Sequence, residues 1–421
     1  MTQIMKIILL SCFILIQFNV LAESDVAFKN VTDYTHYAKL HNNELKAVFY
    51  KWKSMVSKVT RVQGFPDPKL SFSHFIETVE TRVGAQQNKY SLMQMFPWFG
   101  KLSLKGEIVA EKAKAVEQEL RHLELKIRYQ VTKAYSKFYF LSKSIDITIE
   151  NIKLMHYFES VARTRYRVGS APHSSIIKAQ VEIGVLEDKL LTLKTLKKPI
   201  TEKLNSLLNR SRYLELPFPK HIQNKKLSVS EAKLHEALLF NNQSLKSLAY
   251  KTNAENKSIN LARKSYFPDF TLGVTYVDTS EALMPNTSGS GKDPLAVGVT
   301  INLPIWFSKY SAGVEEASAR KKMLVYKSHQ KRLNLKSDLE MSLYEYNNSK
   351  RKINLYKETL IPKAEQSLQV TREAFESGKV NFLSLIDAER ILLEFQLQYH
   401  NSLSKKLTSF SKLEMIVGKK L

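Results

Sequence analysis

Cysteine is all but missing from this 421-residue chain, in which Cys12 is the only one. It falls within the one long apolar run, Ile7 to Phe18, which follows Lys6 and leads to Val20-Leu21-Ala22. That arrangement is read as a secretory signal over residues 1–22, with the small residue Ala22 at the cleavage point. An exported chain with no remaining thiol has no disulfides, so large buried surfaces must hold it together. Leu9-Leu10-Ser11-Cys12 makes a poor lipidation site, with leucine before the serine and little apolar chain ahead of the cysteine. Beyond the signal, no apolar run is long enough for a bilayer-crossing helix.

Acidic residues are also short: 40 against 64 Lys and Arg, for a formal net charge of +24. Such an excess suits polyanions, but export removes nucleic acid as a partner. What remains is contact with anionic lipid headgroups, an anion-attracting lumen, or a solvated lysine-rich helical surface. Catalytic signatures are missing too. There is no phosphate-binding loop, no metal-ligand spacing and no nucleophile–base pair, so no enzymatic activity, cofactor or metal centre is expected. The ten histidines are scattered, and His36 and His41, five apart, lie off a common helix face.

What the chain does have is a duplication. Asn42-Asn43-Glu44-Leu45-Lys46 returns as Asn241-Asn242-Gln243-Ser244-Leu245-Lys246, and Phe65-Pro66-Asp67 as Phe267-Pro268-Asp269. Pro97-Trp98-Phe99-Gly100-Lys101 is answered by Pro304-Ile305-Trp306-Phe307-Ser308-Lys309. Gly169 and Ala179 are answered by Gly378 and Ala388. The offsets, about 200, 202, 208 and 209 residues, preserve order while loop lengths drift. The expected organisation is a first repeat over 23–213, a proline-bearing linker over 214–228, and a second repeat over 229–421.

Each repeat reads as helix, two strands, long helix, turn, long helix. The first helix is expected as one piece from Asp33, its N-cap, to Val62. Strands are expected at about 68–80, 89–97, 269–278 and 294–304. Leu70, Phe72, His74 and Ile76 alternate with Ser71, Ser73, Phe75 and Glu77; Phe270, Leu272, Val274 and Tyr276, then Leu295, Val297, Val299, Ile301 and Leu303, alternate with small or polar residues. Large apolar side chains opposite small polar ones over about nine to eleven residues is what an outer-membrane barrel strand requires. A soluble hairpin with one buried face has the same alternation. Trp98, Phe99, Trp306 and Phe307 close the strand pairs, where aromatic residues sit at a membrane–water boundary.

From Lys101 onward, Val131, Ala134, Phe138, Leu141, Ile145, Thr148, Ile152, Met155, Glu159, Ala162 and Tyr166 recur at alternating spacings of three and four. This is a coiled-coil seam. A helix over 101–168 would span roughly 100 Å at 1.5 Å per residue. Gly169-Ser170-Ala171-Pro172 turns it, and Ser377-Gly378-Lys379 turns its counterpart. Ile361-Pro362 is expected to kink or break the second descending helix. Four strands cannot close a barrel, and open sheet edges do not survive in lipid, so strands that span a membrane demand oligomerisation. Two copies would supply eight strands and three would supply twelve.

The chain resembles the TolC family of outer-membrane efflux channels. The likeness is densest at Pro362-Lys363-Ala364-Glu365, at Ala374-Phe375-Glu376-Ser377-Gly378-Lys379 and at Leu385-Ile386-Asp387-Ala388-Glu389-Arg390, with Tyr266-Phe267-Pro268-Asp269 before the third strand. The resemblance implies a homotrimer: a twelve-stranded transmembrane β-barrel in outer-membrane lipid, continued through the periplasm by a long α-helical barrel. It implies an exit duct in a tripartite system, with a periplasmic adaptor and an inner-membrane pump of the resistance-nodulation-division type. The adaptor would meet the two tips, Val168-Gly169-Ser170 and Ser377-Gly378-Lys379. Acidic residues near the second tip often narrow such tubes. Asp387 matches one such position and Ser384 replaces the other, with Ser175 and Lys178 as first-repeat equivalents. Val79-Glu80-Thr81-Arg82-Val83-Gly84 resembles the heavy-metal branch, and Met93 and Met95 share a strand face. A periplasmic adaptor or coiled-coil scaffold is the alternative, but such proteins carry one helical hairpin, whereas this chain has two.

Overall fold

The computed structural model describes residues 28–210 and 214–421. The signal expected over 1–22, with Cys12, and the first repeat's end at 213 lie outside the described residues.

The first repeat opens with α1 (Val31–His41) and α2 (Asn43–Gln63), two helices where one was expected. Asn42 makes the break. Its backbone is extended, and its side chain caps α2 by accepting from the Glu44 and Leu45 amides at 3.0 and 3.2 Å. Its amide nitrogen then donates to the Leu207 carbonyl at 3.0 Å. Asn242 repeats the device between α5 (Glu231–Asn241) and α6 (Gln243–Lys264), accepting from Ser244 and Leu245 and donating to the Ile416 carbonyl at 2.7 Å. Both asparagines are buried, at 7% and 0% exposure, so the conserved offset of the two motifs marks a tertiary lock as well as a cap. The N-cap of α1 is Asn30. Asp33 instead reaches back to the Asn30 amide from the third helical position, completing a capping box.

The strands are β1 (Lys69–Thr81), β2 (Gly84–Phe96), β3 (Phe270–Thr279) and β4 (Leu295–Ile301). They form one antiparallel sheet in the order β1-β2-β3-β4, leaving β1 and β4 as open edges. β2 begins about five residues earlier than expected. Only Arg82 and Val83 separate it from β1, and a register shift between His74 and Val79 lets the pairing continue to the turn. Gly84 has φ +134°, and a Cβ there would run into the Ser280 carbonyl. The loop after β3 therefore lies directly on this hairpin, held by Ser280 N–H to Ala85 C=O at 2.9 Å and Gly291 N–H to Val83 C=O at 2.8 Å.

Register sorts the side chains into cross-strand rows. Leu70, Leu92, Val274 and Val297 form one row, and Phe72, Tyr90, Tyr276 and Leu295 the next. These eight are exposed, giving a continuous apolar belt with nothing packed on it among the described residues. The opposite face carries Ser71, Ser91, Thr275 and Ala296, then Met93 beside Gly273 and Gly298. Met93 and Met95 thus belong to the small and polar face rather than to the apolar belt.

Below the sheet run α3 (Lys101–Arg167) and α4 (His173–Leu208), then α7 (Phe307–Leu355), α8 (Ile361–Glu376) and α9 (Phe382–Val417). At 67 residues, α3 is about 100 Å long. Pro362 does not break the second descending arm. A π-helical turn, Tyr356–Leu360, joins α7 to α8, with the Ile361 amide bonding the Tyr356 carbonyl. The wider turn places proline early in α8, where its missing N–H costs little.

The core is a string of three clusters rather than one centre. Tyr34, Tyr135, Phe138 and Leu204 pack together near α1. Leu234, Leu339, Leu343, Phe410 and Leu413 form the counterpart under α5. Met155, Phe158, Ile183, Phe375, Phe382 and Leu385 hold the two hairpins against each other near their tips. Among the described residues no helix is long and apolar enough to cross a membrane.

Candidate functional site

Three places carry the candidate residues: the sheet-to-helix junction, the two tips, and the bundle just above them. At the junction Asp269 is the hub. Its carboxylate accepts from Lys101 Nζ at 2.7 Å and from the Trp98 amide at 2.6 Å, while Lys101 Nζ also donates to the Phe267 carbonyl at 2.9 Å. Trp98 stacks on Phe267 with ring centroids 5.3 Å apart and an interplanar angle of 13°. The start of the first long helix is thereby tied to the third strand. Phe99, Trp306 and Phe307 are exposed, whereas Trp98 is half-buried in this junction.

The tips are copies of one motif. Gly169 (φ +73°) and Gly378 (φ +84°) take the left-handed conformation that ends a helix. The Gly169 amide bonds the Tyr166 carbonyl and the Ser170 amide the Arg165 carbonyl, at 3.0 and 2.8 Å. Gly378 to Phe375 and Lys379 to Ala374 repeat both bonds at the same distances. This is the Schellman arrangement. Val168, Gly169, Ser170, Ser377, Gly378 and Lys379 are all exposed.

The chain brings the two tips together through residues that the periodicity did not single out. Arg165 donates from Nη1 to the Phe375 carbonyl and from Nη2 to the Ser170 carbonyl, the latter at 2.7 Å. Its guanidinium carbon lies 4.8 Å from the centre of the Phe375 ring. Tyr157 Oη donates to Glu376 at 3.1 Å. The sequence signal was available in the duplication: the residue matching Arg165 in the second repeat is Ala374.

Above the second tip, Asp387 is exposed, and Arg390 one turn along α9 forms a fork on Glu182 of α4. Ser384 is exposed but committed to helix capping, its amide and hydroxyl both on Asn381 Oδ1 at 3.0 and 3.2 Å. In the first repeat Lys178 is exposed, whereas Ser175 is buried at 5% exposure. The two first-repeat positions therefore do not share an open surface within the chain.

The least expected residue here is Glu389. It occupies an apolar stripe with Phe382, Leu385, Ile386 and Leu393, it is 0% exposed, and neither carboxylate oxygen has a hydrogen-bond partner. Burial pushes its carboxyl up to about 7, the nearby Glu182 charge adds to the rise, and Arg390 and Lys189 oppose it. A glutamate at the apolar beat of a seam was legible in the sequence, but its lack of a partner was not. Among the described residues, Glu231, His235 and Glu340 form a separate group whose donor atoms all lie within 4.8 Å of one another.

Comparison with known proteins places these features. The model of a family described as outer membrane efflux protein matches residues 234–419. Toxin and drug export protein A of Aggregatibacter actinomycetemcomitans is 24% identical over 255 residues, covering 59% of this chain and 54% of that protein. Cobalt-zinc-cadmium resistance protein CzcC of Cupriavidus metallidurans is 26% identical over 165 residues, covering 38% of this chain and 36% of the relative. The chain thus spans about half the length of the first of these relatives and about a third of the second. The solved outer-membrane channel OprN superposes with a TM-score of 0.79 at 15% identity, over 92% of this chain and 89% of that one. At that identity the likeness establishes a shared fold, a helical barrel element carrying a small β domain.

Proposed function

We propose that the chain is a member of the outer membrane efflux protein family, whose model matches residues 234–419, and that it is a passive exit duct in the outer membrane. One observation carries the reading. A four-stranded sheet with open edges and an uncovered apolar face is mounted on the end of a helical bundle about 100 Å long. Such a sheet is stable in lipid only when its edges are paired and its apolar face meets acyl chains. Three copies would supply twelve strands and close the barrel, and the helices would continue the duct through the periplasm. Trp306, Phe307 and Phe99 would lie at the membrane boundary and Trp98 would brace the junction beneath it.

The exposed tips at 168–170 and 377–379 are the proposed contacts for a periplasmic adaptor. An inner-membrane pump of the resistance-nodulation-division type is the proposed source of energy. The cargo is set by that pump. A deletion strain challenged with zinc, copper, silver, dyes and antibiotics identifies which pump the duct serves. The family is one of channels, and no catalytic role is proposed.

The decisive experiment is fractionation followed by light scattering in detergent. An outer-membrane species with the mass of three chains is expected, and a soluble periplasmic monomer refutes the duct. Asp387 is the proposed constriction residue, with Ser384 and Ser175 uncharged and Lys178 weakening the cation preference around it. Channels carrying Asp387→Ala should lose cation preference in planar bilayers. Unchanged selectivity and closed-state leak would remove Asp387 from the gate.

A further inference from the structure

We propose that Glu231, His235 and Glu340 form a binding site for a borderline divalent transition-metal ion, of the Zn2+, Co2+ or Ni2+ class, that clamps α5 to α7. Glu231 and His235 lie four residues apart on α5, so both project from one face. Glu340 comes from α7, and its Oε1 is 2.8 Å from His235 Nε2. One carboxylate oxygen from each glutamate and one imidazole nitrogen lie within 4.8 Å of one another.

Two further observations separate this trio from an ordinary surface ion pair. The first is charge. In a chain with 64 basic and 40 acidic residues, neither Glu231 nor Glu340 is paired with a lysine or arginine among the described residues. Their one recorded polar side-chain contact is the bond between Glu340 and His235. A +24 chain therefore keeps a local spot where two carboxylates meet one imidazole with no lysine or arginine on them, and a divalent cation would balance that charge. The second is rigidity. Leu234, Ala237 and Leu238 seat α5 on Leu335, Leu339 and Leu343 of α7, so the backbones bearing the donors are fixed by packing. Only the glutamate side chains need to move. Zinc takes carboxylate oxygen and imidazole nitrogen at about 2.0–2.2 Å, which sets tetrahedral donor separations near 3.3 Å. Rotations of two partly solvated glutamates cover the difference.

The donor set also selects the ion. An imidazole nitrogen beside two carboxylates suits borderline metals, whereas Mg2+ and Ca2+ prefer all-oxygen sites. Three protein ligands leave a fourth position for water. Counting by the Asn42–Asn242 offset, the first-repeat counterparts on α1 are Val31 and Thr35, so the site exists in one repeat only.

The test uses full-length, tag-free protein in detergent, freed of metal with chelator and titrated calorimetrically with ZnCl2. One saturable site per chain is expected, with a rise in melting temperature. Loss of even an outer partner of a metal ligand typically weakens binding 10–100-fold, so His235→Ala and Glu340→Gln should each weaken it at least tenfold. His156→Ala removes a comparable surface histidine beside Glu159 and should leave it unchanged. Glu340→Gln keeps a hydrogen-bonding group opposite His235, so its loss of binding cannot be put down to misfolding. Absence of saturable binding up to 1 mM, wild-type affinity in His235→Ala, or equal competition by MgCl2 overturns the site.

Discussion

Glu389 predicts a pH-dependent weakness in the lower bundle. Its carboxyl is 0% exposed, with both oxygens unpartnered and Glu182 close by, and its folded pKa rises from 4.5 to about 7. The folded chain therefore holds the Glu389 proton more tightly than the unfolded chain. Between pH 4.5 and about 7 the native state binds more protons, so stability falls as pH rises through that window. Below it Glu389 is neutral in both states and contributes no penalty. Above it the full cost is present, and two to three pKa units at 1.36 kcal/mol each make this about 3 kcal/mol.

Glu389→Gln removes the ionisation at nearly constant shape. The first repeat has Gln180 at the matching position, where its amide donates to Glu159 at 3.0 Å. Denaturant unfolding of the detergent-solubilised protein is the assay, with wild type and variant compared at pH 4.5 and pH 8 at a common slope. The two should be equal within about 0.5 kcal/mol at the lower pH, and the variant should be more stable by about 3 kcal/mol at the higher. A difference that does not change with pH would refute the reasoning, since burial without titration cannot produce a pH-dependent gap. The charged groups set against Glu389 are Glu182 and Lys189 on α4 and Arg390 on its own helix. Glu182→Gln should therefore narrow the gap without closing it.

Two further outcomes follow from the duplicated and unduplicated contacts. Asn42→Ala and Asn242→Ala each remove a helix cap and strand a buried carbonyl, so each should cost about 2–3 kcal/mol in the same unfolding assay. A cost confined to one of them would show that the two locks are not equivalent. Arg165→Ala removes the guanidinium contacts to the Phe375 and Ser170 carbonyls, worth about 1–2 kcal/mol for a charge-assisted pair at partial exposure. Amide hydrogen exchange over residues 373–380 should speed up by roughly tenfold, and unchanged exchange would show that the tips are held together by packing alone.

Much of this arrangement was readable from spacing. Strand alternation located the apolar belt, because a period of two admits only one assignment of faces once register is set. The glycines marked both tips because a left-handed residue is needed there. Other features were hidden for identifiable reasons. The break at Asn42 was missed because asparagine within an apolar helical pattern is as compatible with a solvated helix face as with a cap. Only the carbonyl of Leu207, distant in sequence, decides between them. A proline within a helical pattern implies a kink or a break because it removes a hydrogen bond, and a π turn that keeps the helix unbroken leaves no periodic trace. Ser175 was paired with Lys178 by alignment to the second repeat, but one helical face cannot be assigned to lumen or core until its neighbours are placed.

Some departures from duplication lie in the lower bundle, and they bear on function. The Asn42 and Asn242 locks, the Asn209 and Gly418 left-handed helix ends, and the two tip turns are duplicated bond for bond or in backbone conformation. These are the parts that must be alike if three chains are to approximate a sixfold tube. At the lower bundle Arg165 corresponds in sequence to Ala374, Gln180 to Glu389, and Glu182 to Ile391 of the other repeat. The consequence is directional: one hairpin supplies the arginine and the other supplies the carbonyl it grips. The arginine is present in one repeat only, so within the chain this latch is made once rather than twice. If opening separates the hairpins, the first repeat must release the second, and the polar contacts to be broken are those of Arg165 and Tyr157.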